Sequence, residues 1–172
     1  MLQVPLSEVY VKRTIRPLYA FAQSTPKSVF LDPDWDRSVD IYPGMVLQRA
    51  GGDLVTLLDA TGKPLGLAAE FVTASINEVD ERPINATSVW VLGPDAEFEI
   101  LSPAFDTDAT WTDPTDGTVL LVHAWVSGAD RGKLAPAGAS KGGHVLSSNP
   151  VARLIKVNSD TKITIGGLFG TV

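Results

Sequence analysis

The stretch IYPGMVLQRAGGDLVTLLDATGKPLGLAAEF, residues 41–71, decides the fold class. Three short apolar runs, Met45–Leu47, Leu54–Leu58 and Leu65–Ala68, are divided by Pro43-Gly44, by Gly51-Gly52-Asp53 and by Ala60-Thr61-Gly62. Runs of this length between glycine-bearing turns read as strands of a β-meander, because Gly and Pro set the turn dihedrals that a helix interior refuses. The same punctuation continues along the chain. Glycine and proline number 15 and 12 among 172 residues, too many breakers for a helical bundle.

Outward from that core, Ser88-Val89-Trp90-Val91-Leu92 is apolar on both faces and reads as a buried strand. Glu97-Phe98-Glu99-Ile100 alternates, as a strand with one wet face does. Thr118 to Trp125 is a further strand, and Gly132-Lys133-Leu134-Ala135 a short one inside the glycine-rich stretch from Ser127 to Gly143. Val151–Val157 and Lys162–Ile165 close the chain, joined by a four-residue hairpin loop, Asn158-Ser159-Asp160-Thr161. Val72, Ile76 and Val79 have helical spacing, which Pro83 limits to a few turns. Residues 103–117, rich in Pro and Asp, read as loop. The expected architecture is mostly β, a small barrel or sandwich-like body over 31–172.

Residues 1–30 read as an extended N-terminal arm, with a strand Tyr10–Arg16 stopped by Pro17, which has no N–H for a ladder. Lys12, Arg13, Arg16 and Lys27 against Glu8 give this arm a net charge of +3, while the remaining residues carry 10 positive and 19 negative side chains, a net of −9. Two readings fit. The arm is either a charged edge strand covering its own acidic body, or a basic segment that docks on an acidic partner or neighbouring subunit.

The search for chemistry excludes most site types. With no cysteine there is no disulfide, thiolate site or cysteine nucleophile. Gly138-Ala139-Ser140-Lys141-Gly142 fits G-x-S-x-G, but Pro136 upstream and Gly143 downstream deny it the strand and helix of a nucleophile elbow. The triad order fails as well, since Asp160 follows His144 after Ser140. His123 lies within an apolar strand and His144 in the glycine loop, without metal-ligand spacing. Between Pro83 and Asp130 stand eight acidic residues and no Lys or Arg. Asp106, Asp108, Asp113 and Asp116 invite a calcium reading, which fails because Trp111 takes the position that an EF-hand gives to glycine. The expectation is a solvated acidic loop. Trp111 and Trp125 are candidates for stacking on sugars, but no carboxylate spacing marks a glycosidase. Asn85-Ala86-Thr87 matches a glycosylation acceptor without a leader to expose it, since no apolar segment follows a basic start near Met1.

Phosphate-binding loops are absent, and a net charge of −6 opposes association with nucleic acid. The longest uncharged apolar run, Thr118–Ala129, falls short of the ~20 residues that cross a bilayer. No cofactor, metal, nucleic acid or membrane partner is expected.

Tyr42-Pro43-Gly44-Met45-Val46-Leu47, Asp53–Ala60 and Pro64-Leu65-Gly66-Leu67-Ala68 resemble the core of capsid decoration (cement) proteins of tailed bacteriophages. Asn149–Val157 and Ile163–Gly166 are similar in style. The resemblance covers about Ile41–Phe71 and Gly132–Gly167, and implies that residues 72–131 are an elaboration of the body. It implies a β-tulip fold and a non-enzymatic virion protein, assembled in the bacterial host cytoplasm. Such a protein binds the outer capsid surface as a trimer, bridges major capsid protein subunits and stabilises the expanded, DNA-filled head. The arm then supplies the expected interface, with Tyr10, Val11, Lys12, Arg13, Ile15, Arg16, Tyr19 and Phe21 adding a strand to a neighbour's sheet or bringing arginine to its carboxylates. Alternatives are a head fibre or host-adhesion module, a carbohydrate-binding β module, and a small β-fold serine hydrolase using Ser140, His144 and an aspartate.

Overall fold

The computed structural model describes residues 14–19, 26–35, 38–73 and 86–168. Among them are eleven strands and no helix: β1 (Ile15–Tyr19), β2 (Pro26–Leu31), β3 (Val46–Gly51), β4 (Leu54–Leu57), β5 (Pro64–Ala68), β6 (Ala86–Trp90), β7 (Glu97–Leu101), β8 (Leu120–Ala124), β9 (Leu134–Pro136), β10 (Ala152–Ser159) and β11 (Lys162–Gly166). The all-β expectation holds. Ile76 and Val79 of the expected helical turn lie outside the described residues; Val72 bridges to Ile41.

Five strands close a barrel in the order β2-β4-β3-β5-β6. The meander supplies three of them. Gly52, at φ +55°, turns β3 into β4, and Asp59 organises the return to β5. Its Oδ1 accepts the N–H groups of Thr61 (2.8 Å) and Gly62 (2.9 Å), and its Oδ2 accepts Gln48 Nε2 (2.8 Å). Burial disfavours the Asp59 carboxylate, but these bonds outweigh burial and hold its pKa below the ordinary value. The barrel is completed by β2, parallel to β4 and antiparallel to β6. Residues 26–30, counted with the arm on sequence grounds, thus form part of a barrel strand.

The other six strands form one sheet in the order β1-β7-β11-β10-β8-β9. Phe98 and Ile100 of β7 face inward, with Val122 and Ala124 of β8 and Ile163 and Ile165 of β11. They join Leu47, Leu57, Leu67 and Trp90 of the barrel in one continuous core, with the Trp90 and Phe98 rings edge to face at 5.5 Å. Polar bonds also stitch the two layers. Arg131 donates from Nη2 to Leu57 C=O (2.9 Å) and from Nε to Leu58 C=O (3.1 Å), and Val46 N–H reaches Gly132 C=O (2.8 Å). The final hairpin is tighter than expected: β10 runs to Ser159, which pairs with Lys162, leaving only Asp160 and Thr161 as the turn.

Pro17 does not stop β1. Leu101 N–H donates to Thr14 C=O (2.8 Å), and ladder bonds fall on alternate residues of an antiparallel pair. Arg16, opposite Glu99, therefore shares the β7 side with Thr14, while Ile15 and Pro17 turn their nitrogens away. The missing N–H of Pro17 falls on the side without a partner among the described residues, where a ladder loses nothing. The opposite edge, β9, is covered: Asp106 N–H bonds to Leu134 C=O and Leu134 N–H to Ala104 C=O.

Candidate functional site

Of the eight expected interface residues, Ile15, Arg16 and Tyr19 are described, and they lie on β1 within the chain's own sheet. Ile15 packs against the core and Arg16 is exposed. Thr14, buried, donates its hydroxyl to Pro43 C=O and so ties the start of β1 to the turn before β3. Tyr10, Val11, Lys12, Arg13 and Phe21 lie outside the described residues. The exposed edge of the sheet is thus Arg16 and Leu18 beside a proline.

The densest polar constellation lies at the other end of the sheet, where three loops meet over β8 and β9. The sequence marked its members singly and did not connect them. Asp106 sits where the covered edge passes Leu134, and only 4% of it is exposed. Its Oδ2 accepts Trp125 Nε1–H (2.9 Å), its Oδ1 caps Asp108 N–H (3.0 Å), and its carbonyl accepts Trp111 Nε1–H (2.8 Å). Lys141, from the glycine loop, points at the same carboxylate at 3.3 Å, at Asp108 at 3.1 Å and at Asp130 at 2.6 Å. Asp130 also accepts Lys133 Nζ (2.7 Å). His144 donates from Nδ1 to Gly142 C=O (3.0 Å), stands edge-on to Trp125 at 5.6 Å and brings Nε2 to 3.4 Å from Asp130.

The expected solvated loop is therefore corrected in part. Asp108, 80% exposed, is solvated, but Asp106 is interior, because an ammonium and an indole N–H satisfy it there. The aspartates do converge as a cation site would, yet the cation is the tethered ammonium of Lys141. Among the described residues no group of three ligating side chains is arranged for a metal. A recess of about 310 Å³ remains between residues 108–110 and 136–141. Pro136, expected to deny Ser140 a preceding strand, is itself the last residue of β9, but a turn at Ala137-Gly138 separates that strand from Ser140 and no helix follows among the described residues. Trp125 is 1% exposed and has no face to offer a sugar, and Trp111 is half-buried, edge-on to Phe105. His123, as expected, is a strand residue; its Nδ1 donates to Ser147 C=O (2.7 Å).

Electrostatics lock the cluster. Hydrogen bonding to Asp130 raises the pKa of Lys141 against the opposing effect of burial, with Asp108 and Asp106 adding to the rise. Burial works against the Asp130 carboxylate, but hydrogen bonds from Lys133 and Lys141 and their charges bring its pKa below the ordinary 3.8. The folded pKa is the lower one. The stabilisation is therefore complete above the unfolded value and is lost as pH falls through the folded one. Thermal melts should be flat between about pH 5 and 7 and fall below about pH 4. Asp130→Asn should lower the plateau and flatten the acid limb; an unchanged acid limb would refute this assignment.

A family model described as phage cement protein matches residues 1–168. A solved structure described as the capsid of Myoviridae Phage XM1 aligns with a TM-score of 0.53 and 13% identity, over 85% of this chain and 84% of that one. At that identity the likeness is one of fold. No curated protein matches.

Proposed function

The chain belongs to the phage cement protein family, and on that premise we propose that it attaches to the outside of the phage head, bridges neighbouring major capsid protein subunits as a trimer, and stabilises the expanded shell. The observation that carries this reading is the family match over residues 1–168. Chemistry and charge support it. Residues 31–172 carry a net −9, which repels packaged DNA and favours a position outside the shell. In the polar cluster Lys141 and Lys133 pair with Asp106, Asp108 and Asp130, so these carboxylates brace the loops that carry them. A trimer touching several subunits binds through effective concentration, and modest individual contacts then suffice.

The basic arm supplies the capsid contact in this reading. The strand β1 belongs to the body, since it pairs with β7 and seats Ile15 on the core. The test of the arm is therefore removal of residues 1–13, which keeps Thr14 and β1. Co-sedimentation with expanded and unexpanded capsids, with copy number per shell, reads the result. Full-length protein should saturate expanded shells in multiples of three and bind unexpanded ones weakly. The shortened protein should melt normally and lose most of its binding. Equal binding to both shell forms would defeat the stabilising role, and full occupancy after the deletion would defeat the arm.

A further inference from the structure

The outward row through β8 runs from Val119, just before the strand, through Leu121 and His123 to Trp125, just after it, alternating with core-facing Val122 and Ala124. Val119 and Leu121 are 62% and 37% exposed, yet Trp125 in the same row is buried. His144 stands edge-on against its indole, and residues 136–141 line the same recess as Trp125. We propose that Gly138–Gly143 is a strap latched by charge, which opens as a unit about its end glycines and uncovers Trp125, lengthening the apolar row of β8.

Four observations carry this. Gly138 and Gly143 have φ of +77° and +76°, and a Cβ built on either would meet nothing within 4 Å, so neither end is wedged by packing. No residue of the strap belongs to the core cluster. Its backbone bonds to the flanking chain, Ala139 N–H to Pro136 C=O and His144 N–H to Lys141 C=O, are two local turn bonds that span the end glycines, and they are what opening must break. Lys141 ties it to carboxylates of the two facing loops, Asp106 and Asp108 on one and Asp130 on the other. Segments with few buried contacts open at lower free energy than the core. Trp125 itself lies outside the main core cluster, so its exposure leaves that core intact. The groups that face Lys141 and its partners are Asp106, Asp108, Asp130, Lys133 and His144. The depressed pKa of Asp130 keeps the latch charged at neutral pH.

Hydrogen exchange on the full chain at neutral pH tests the strap, comparing wild type with Lys141→Met and Lys141→Arg. In Lys141→Met, exchange across 137–145 and at the Trp125 indole should be at least about tenfold faster, with 152–166 unchanged. Lys141→Arg, which keeps the charge, should retain most of the protection. Unchanged exchange in Lys141→Met overturns the proposal, as does an equal acceleration over 152–166, which would mean that the loop opens only when the body unfolds.

Discussion

Gly132→Ala should lower the unfolding free energy by roughly 2–4 kcal/mol, the sum expected for a left-handed residue that gains a Cβ and for an overpacked core. Gly132 has φ +86°, and the added Cβ would sit 2.6 Å from Leu57 Cδ2 and 3.1 Å from Met45 Cε. Both neighbours are fully buried and cannot swing aside. The site is also where the layers join: Gly132 C=O accepts Val46 N–H from the barrel, and Gly132 N–H donates to Trp125 C=O in the sheet. A shift that relieves the clash would lengthen one of these bonds. Urea denaturation gives the measurement, and Gly52→Ala the control. Gly52 has φ +55° with open space around it, so alanine there should cost only about 1 kcal/mol of backbone strain. Equal losses at the two positions would mean that crowding at the junction is not what matters.

Asp106→Ala should cost a similar amount, about 2–4 kcal/mol, because it leaves a buried donor unpaired and removes a charged acceptor. Trp125 is only 1% exposed and its Nε1–H has Asp106 as acceptor, whereas Lys141 keeps Asp130 and Asp108. The loss should therefore come mainly from the indole and from the Asp108 N–H that Asp106 caps. Asp108→Ala, at an exposed carboxylate on the same ammonium, should cost at most about 0.5 kcal/mol. Denaturation midpoints of the two variants separate the contributions. Comparable losses would show that the cluster acts by net charge and not by satisfying an interior donor.

The strands were legible wherever a local rule had no competitor. Glu97-Phe98-Glu99-Ile100 alternates because one face of β7 is wet, and that is the face it presents. The stretch 46–68 yields three barrel strands at its three apolar runs. Pro17 misled because the rule against proline in strands depends on which side its nitrogen faces, and an edge tolerates what a central strand does not. Residues 26–30 read as arm on sequence grounds, and burial along them is light. Only their pairing with β4 and β6 makes them part of a barrel.

The polar cluster was invisible for another reason. Asp106, Trp125, Asp130 and Lys141 span 36 positions with no shared period, and each alone has an ordinary local explanation. One signal was available: a stretch with eight carboxylates and no Lys or Arg must find cations elsewhere if any of those carboxylates is interior.

The amino-acid order alone determined the all-β class, the turns of the 41–71 meander and the charge division between a basic start and an acidic remainder, since each depends on neighbours a few residues apart. Closure of the barrel, seating of β1 in its own sheet and convergence of the aspartates on Lys141 were decided by the tertiary structure. Those depend on which distant edges meet, and burial assigns that by the total apolar area removed from water, a quantity that no short window of sequence contains.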